Sequence, residues 1–167
     1  SNNNIIVTGS YSLNPLTIYN EPGGVSDVPL PTLSNSGLYD AFIVKYNSNG
    51  IGIWGTRIAG ADYDYGYSVA VDSNNNIIVT GIYDSTTLTI YNADTSVFGT
   101  LPNDSGSTDV FIVKYNSNGV GIWATRIAGT GSEYGYGITV DSNNNIIVTG
   151  EYISNPVTIY NADGTTF

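Results

Sequence analysis

The stretch DSNNNIIVTG, Asp72–Gly81, returns letter for letter at Asp141–Gly150, and its last nine letters open the chain at Ser1–Gly9. An Asp followed by Ser and three Asn reads as a tight turn. Asp and Asn side chains close local turns by bonding nearby backbone, and Asn tolerates the left-handed conformation such turns need. The run that follows is apolar on both faces, with Ile77 and Val79 on one and Ile78 and Ile82 on the other. That pattern suits a strand buried on both sides. The phrase is therefore a corner feeding a buried strand, and its recurrence predicts the same corner in successive sheets.

Working outward, most of the chain repeats with it. DAFIVKYNSNGIGIWGTRIAG at Asp40–Gly60 recurs as DVFIVKYNSNGVGIWATRIAG at Asp109–Gly129. YGYSVAVDSNNN at Tyr65–Asn76 recurs as YGYGITVDSNNN at Tyr134–Asn145. LTIYN at Leu16–Asn20 and Leu88–Asn92 returns as VTIYN at Val157–Asn161. The repeat is about 70 residues long, has strand periodicity and contains no helical run.

Each unit reads as four main strands. In the first, Tyr65–Asp72, simple alternation puts Tyr65, Tyr67, Val69 and Val71 on one face and Gly66, Ser68, Ala70 and Asp72 on the other. A bulky face and a small face suit sheets stacked face to face. The second strand is Asn76–Tyr83. The third and fourth form a hairpin around NSNG, Asn47–Gly50 and Asn116–Gly119, where Gly supplies a positive φ. If Tyr115 faces Val120, then Phe111 faces Ala124, Ile112 faces Trp123 and Asp109 faces Arg126. This register predicts one cross-strand ion pair per unit, Asp40–Arg57 and Asp109–Arg126, and places Lys45 and Lys114 diagonally over Trp54 and Trp123.

Composition narrows the chemistry. The chain has no Cys and no His, so it lacks a thiolate nucleophile, the usual general base and the commonest metal ligand. Fourteen acids against four bases give a formal net charge of −10, which disfavours phosphate backbones and anionic membrane surfaces. No segment approaches the roughly 20 apolar residues of a membrane span. No leader peptide is read in the sequence.

Units of this kind, an Asp-Ala-Phe-Ile-Val-Lys-Tyr strand, an Asn-Gly turn, a Trp strand, a Tyr-Gly strand and a Val-Asp turn into Val-Thr-Gly, resemble the bacterial SBBP type of β-propeller repeat. The resemblance implies an all-β fold of β-propeller-like, four-stranded antiparallel blades. It also implies a secreted or surface location, since such repeats are mostly found there without assigned catalysis. The insert after LTIYN departs from the pattern and predicts a short fifth strand or an elaborated loop.

On this reading residues 1–64 form a partial blade of second to fourth strands, with a long insert at 21–39. Residues 65–133 form a complete blade, and residues 134–167 supply first and second strands plus the TIYN segment. Little over two blades cannot close a ring, since propellers use about 4–8. The expected partners are other copies of the chain, in a ring or fibre, or neighbouring repeats of a longer parent chain.

Few residues suggest a site. Asp62 and Asp64 in ADYDYG have the spacing that opens a calcium loop, yet calcium takes about 6–8 oxygens and the matching stretch GSEYG lacks the first Asp. Solvated turn carboxylates are the default there, so no metal and no cofactor are expected. Equivalent tyrosines recur at Tyr11, Tyr83 and Tyr152, and at Tyr19, Tyr91 and Tyr160. Rings of this kind could stack on sugars, one shallow glycan pocket per blade, or pack between sheets with their hydroxyls at the rim. Asn103–Ser105 is an Asn-x-Ser triplet in a loop. The expected function is a non-enzymatic, self-associating interaction scaffold, with glycan binding as the alternative.

Overall fold

The computed structural model describes residues 3–12, 15–20, 30, 32–103 and 107–167. Asp104 and Ser105 of the Asn-x-Ser triplet and much of the 21–39 insert lie outside the described residues. The described residues form an all-β structure of antiparallel sheets.

The first sheet contains β1 (Ile5–Ser12), β2 (Tyr39–Tyr46), β3 (Gly52–Ala59), β6 (Thr87–Tyr91) and β7 (Val97–Pro102), side by side in that order. The second runs β12 (Val157–Ile159), β9 (Gly121–Gly129), β8 (Asp109–Tyr115), β5 (Ile77–Tyr83) and β4 (Asp64–Val71). The third pairs β10 (Glu133–Val140) with β11 (Ile146–Tyr152). One core cluster, including Ile43, Trp54, Val79, Leu88, Phe111 and Val113, fills the space between the first and second sheets. A smaller cluster around Ile78, Val110 and Ile112 joins the second to the third.

The repeated corner is an Asp-closed turn. Asp72 Oδ1 accepts the N–H groups of Asn74 and Asn76 at 2.9 Å each, and Oδ2 accepts Asn76 Nδ2 at 2.9 Å. Asn75 takes a φ of 62°. Asp141 repeats every bond at 2.8 Å, and Asn144 repeats the positive φ at 65°. The two corners also bond each other: Ser73 N–H donates to Asn144 Oδ1 at 2.9 Å, and Asn144 Nδ2 donates to Ser73 Oγ at 2.8 Å. Asn, rather than Gly, therefore serves two ends here. It accepts the left-handed backbone and carries an amide to the adjacent corner.

Two sequence expectations need correction. A bulge at Tyr67 breaks the alternation of β4: Gly66 pairs with Gly81 and Ser68 with Thr80. Gly66 turns toward the first sheet, where a Cβ would clash with Thr8 Oγ1, and so does Val69, three residues later. Ser68 turns the other way and accepts the Ile138 N–H. The hairpin register also differs by two residues. Asn116 N–H bonds Val120 O, a wider loop than assumed, and a bulge follows at Lys114/Tyr115. Phe111 therefore lies opposite Arg126 and Lys114 opposite Trp123, while Asp109 pairs with Tyr83 of β5. In the first sheet Arg57 lies opposite Phe42 and Asp40 opposite Tyr11. The direct Asp40–Arg57 and Asp109–Arg126 opposition is not the register that forms.

The TIYN segment, which has no strand of its own in the four-strand reading, forms one on the sheet of the preceding unit, and the insert after it supplies β7 beside it. β6 leaves the second unit between β5 and β8 and pairs with β3, Ile58 against Ile90 and Ala59 against Thr89. β12 does the same to β9, with Thr158 against Ala128. Contiguous segments 1–64, 65–133 and 134–167 therefore do not coincide with sheets, because each unit lends a strand backward. Leu88 and Ile90 are fully buried on this lent strand, which explains its conserved spacing of apolar residues in all three copies: LTI, LTI and VTI.

Two stability measurements test this account. Leu88→Ala should cost about 2–5 kcal/mol in denaturant unfolding, the range for a fully buried leucine. Asp72→Ala should cost more than Asp141→Ala, on the order of 1–3 kcal/mol against about 1 kcal/mol or less. The turns are alike, but Asp72 is buried and also holds Lys114 at 2.9 Å, whereas Asp141 is partly exposed.

Candidate interaction surface

The seam between the first two sheets is built from loops of one unit seated on strands of the other. Lys45 Nζ and Trp54 Nε1 both donate to the Ser117 carbonyl, at 2.7 and 3.1 Å. Ser117 lies in the NSNG loop of the second unit. Gly119 of that loop has a φ of 76°, and a Cβ there would meet Ala93 Cβ at 2.6 Å and the Trp54 ring at 3.0 Å. Lys45 is thus directly opposite Trp54 and bound to a backbone oxygen of the next unit, rather than diagonal over the indole.

The two arginines clamp the lent strands. Arg57 lies over the Tyr91 ring at 4.3 Å and also reaches the Ser34 carbonyl and hydroxyl. Arg126 lies over Tyr160 at 3.9 Å. In both places the preceding threonine donates to the carbonyl of the same tyrosine, Thr56 to Tyr91 at 2.7 Å and Thr125 to Tyr160 at 2.5 Å.

Acids sit buried inside the seams. Asp40 and Asp64 are fully buried, and the Gly60 backbone lies near enough to both carboxyls to lower them. Ser85 Oγ donates to Asp64 Oδ2 at 2.9 Å, and the Ser36 N–H donates to Asp40 Oδ2 at 2.6 Å. Oδ1 of each acid has no hydrogen-bond partner among the described residues. Burial raises both carboxyls, that of Asp64 to about 7, and the charge of Asp40 adds to the effect on Asp64. The next unit places Asp109, Glu133 and Ser154 at the equivalent positions, all buried. Nothing in the sequence points to two acids sharing a site. Asp40 is the second residue of β2 and Asp64 opens β4, and a seam between sheets brings them together.

This placement separates the two acids of ADYDYG. Asp64 is in the seam. Asp62 is half-buried, with its carbonyl capping Leu38 and Tyr39 N–H groups and its own N–H donating to Ser85 Oγ. Among the described residues no group of three or more Asp, Glu, His or Cys side chains is arranged to hold a metal ion.

The repeated tyrosines of the TIYN and second strands do not share a surface. Tyr11 and Tyr83 are buried, donating to the Ser34 and Pro102 carbonyls at 2.8 and 2.6 Å. Tyr91 and Tyr160 are covered in part by arginine. Tyr19 and Tyr152 are exposed. Buried rings offer no face to a sugar.

A different set of tyrosines forms a continuous exposed strip. Tyr39, Tyr63, Tyr65, Tyr67, Tyr136 and Tyr134 follow one another across all three sheets, with neighbouring ring centroids 5.3–6.3 Å apart. Tyr63, Tyr67 and Tyr136 are 39, 44 and 51% exposed. Tyr136 donates its hydroxyl to Glu151 Oε1 at 2.6 Å, which raises the phenol to about 12. Asp84 also lies close enough to raise Tyr65 and Tyr67, after burial as the first cause. The strip was missed in the sequence because its members come from three separate segments. Their common feature is a Tyr on or next to the edge strand of a sheet.

Comparison with known proteins agrees with this architecture. The family model described as a beta-propeller repeat, SBBP, matches residues 53–81 and 122–151. An uncharacterised WD repeat-containing protein of Acanthamoeba polyphaga mimivirus is 35% identical over 193 aligned residues, spanning 97% of this chain. The chain covers 14% of the length of that relative.

The buried acid pair sets a pH dependence. A raised carboxyl means that the folded chain keeps a proton the unfolded chain releases. Its stabilisation is complete below the ordinary value of 3.8 and is lost as pH rises through about 7. The unfolding midpoint in urea should therefore fall between pH 5.5 and pH 8. Asp64→Asn, which keeps a neutral side chain at all pH, should flatten that fall and exceed the parent at pH 8 by on the order of 1–3 kcal/mol.

Proposed function

Because this chain carries repeats of the SBBP β-propeller family, we propose that it is a non-enzymatic interaction scaffold whose two outer sheets are covered by further blades of the same kind. Other copies of the chain, or the rest of a longer parent, supply those blades. The secreted or surface location expected of such repeats belongs to the same proposal.

One observation carries the reading: residues in equivalent positions differ sharply in burial along the stack. Ile77 and Val79 are buried against the first sheet, whereas their counterparts Ile5 and Val7 are 49 and 40% exposed. Ile78 is fully buried against the third sheet, whereas its counterpart Ile147 is 53% exposed. The strand edges follow the same rule. Among the described residues β5 is paired on both sides, by β4 and β8, while β1 and β11 are each paired on one. An apolar face with an unpaired edge is unfavourable in water and templates a further strand. The surface that would cover it is already drawn by the two seams inside the chain.

The lent strand gives this association a direction. The second and third units each place their TIYN segment on the preceding sheet, so the contact is head-to-tail. A head-to-tail contact closes into a ring when its rotation permits and otherwise extends into a fibre. Reaction chemistry has no support in the arrangement. The buried acids are enclosed in seams, and successive seams present the same groups.

Light scattering at increasing concentration should give masses above that of one chain, and particle images should show rings or fibres. Ile147→Asp places a charge on the open face while leaving the internal seams untouched, and it should shift the population toward single chains. A parent chain that stays single and folded at tens of micromolar would remove self-association from the reading.

A further inference from the structure

We propose that the tyrosine strip along the edge strands β4 and β10 binds a cationic polypeptide segment in extended conformation. The inference does not depend on how the outer sheets are covered.

The strip has open aromatic faces. Carbon atoms in contact lie about 3.5–4.0 Å apart. Tyr63 and Tyr65 are within 9° of parallel at 6.2 Å, and Tyr134 and Tyr136 within 14° at 6.0 Å. Rings at these distances touch when slid past one another like overlapping tiles, which leaves part of one face of each uncovered. The exposure of Tyr63, Tyr67 and Tyr136 agrees with this arrangement.

The strip also has a period. Ring centroids follow at 5.3–6.3 Å. An extended chain presents side chains on one side every 6.6 Å or so, two residues at about 3.3 Å each. A segment with basic residues at alternate positions can therefore follow the strip ring by ring over several steps.

Charge selects the partner. The four basic side chains of the chain are engaged elsewhere: Lys45 on Ser117, Lys114 on Asp72, Arg57 over Tyr91 and Arg126 over Tyr160. Asp84 and Glu151 flank the strip, within a chain of net charge −10. A row of π faces bordered by carboxylates attracts Lys or Arg by cation–π contact and by ordinary Coulomb attraction. It repels acidic segments and nucleic acid. The chain already uses this chemistry internally, holding each lent strand by an arginine over a tyrosine.

The test uses fluorescence anisotropy of dye-labelled peptides of eight residues, one alternating Arg and Ser and one alternating Glu and Ser, with a neutral hexose oligomer as competitor. The Arg peptide should bind and the Glu peptide should not. Binding should weaken several-fold as salt rises from low to physiological strength. Tyr67→Ala and Tyr136→Ala should each weaken it by about 2–5-fold, and Tyr67→Phe, which keeps the ring, should retain it. Three results would overturn the proposal. They are no binding of the Arg peptide, unchanged affinity in a folded Tyr67→Ala/Tyr136→Ala double variant, and displacement by the hexose oligomer at matching concentration. The second would place the peptide elsewhere on the acidic surface, and the third would make the strip a sugar platform.

Discussion

The structure depends on a strand that each unit places on its predecessor. β6 is buried against β3 through Leu88 and Ile90, and β12 repeats the arrangement on β9. A unit that gives away its fifth strand cannot finish its own sheet, so its stability belongs to the pair rather than to the segment. Repeat proteins in which each unit contacts its neighbours behave this way in general. Here the coupling is stronger than face-to-face stacking alone, because backbone hydrogen bonds cross between units as well.

The other contacts between units reinforce this one. Arg57 and Arg126 close over the tyrosine at the end of each lent strand. The NSNG loop of the second unit gives its Ser117 carbonyl to Lys45 and Trp54. The DSNNN corners exchange hydrogen bonds through Ser73 and Asn144. Core burial supplies the bulk of the favourable free energy, and these polar contacts set which unit follows which, since each needs a particular residue at a particular height. The buried Asp40–Asp64 pair acts in the opposite sense. It carries a desolvation penalty inside the seam and couples the junction to the proton concentration.

The same stacking positions both surfaces on which a function can rest. The outer faces are apolar because their equivalents inside the stack are apolar. The tyrosine strip runs continuously because first strands of successive sheets lie side by side, Tyr67 of β4 meeting Tyr136 of β10. On β4, Tyr65 and Tyr67 stack two residues apart while Gly66 between them admits Thr8 and Ala41, and the bulge at Tyr67 turns Ser68 to the other side, toward Ile138.

Local chemistry was legible in the sequence. Asp72 and Asp141 close their turns with neighbours two and four residues away, and such bonds follow from residue type and spacing. The all-β class and the repeat were readable for the same reason. Tertiary structure decided what depends on register and on distant neighbours. A wider loop and a bulge moved the hairpin by two residues, and alternation alone carries no sign of either. The destination of the TIYN strand, the meeting of Asp40 with Asp64, and the joining of six tyrosines from three segments were settled by how sheets stack. The physical reason is that periodicity reports which side of a strand is buried, whereas the identity of the covering surface depends on packing between elements far apart in the chain.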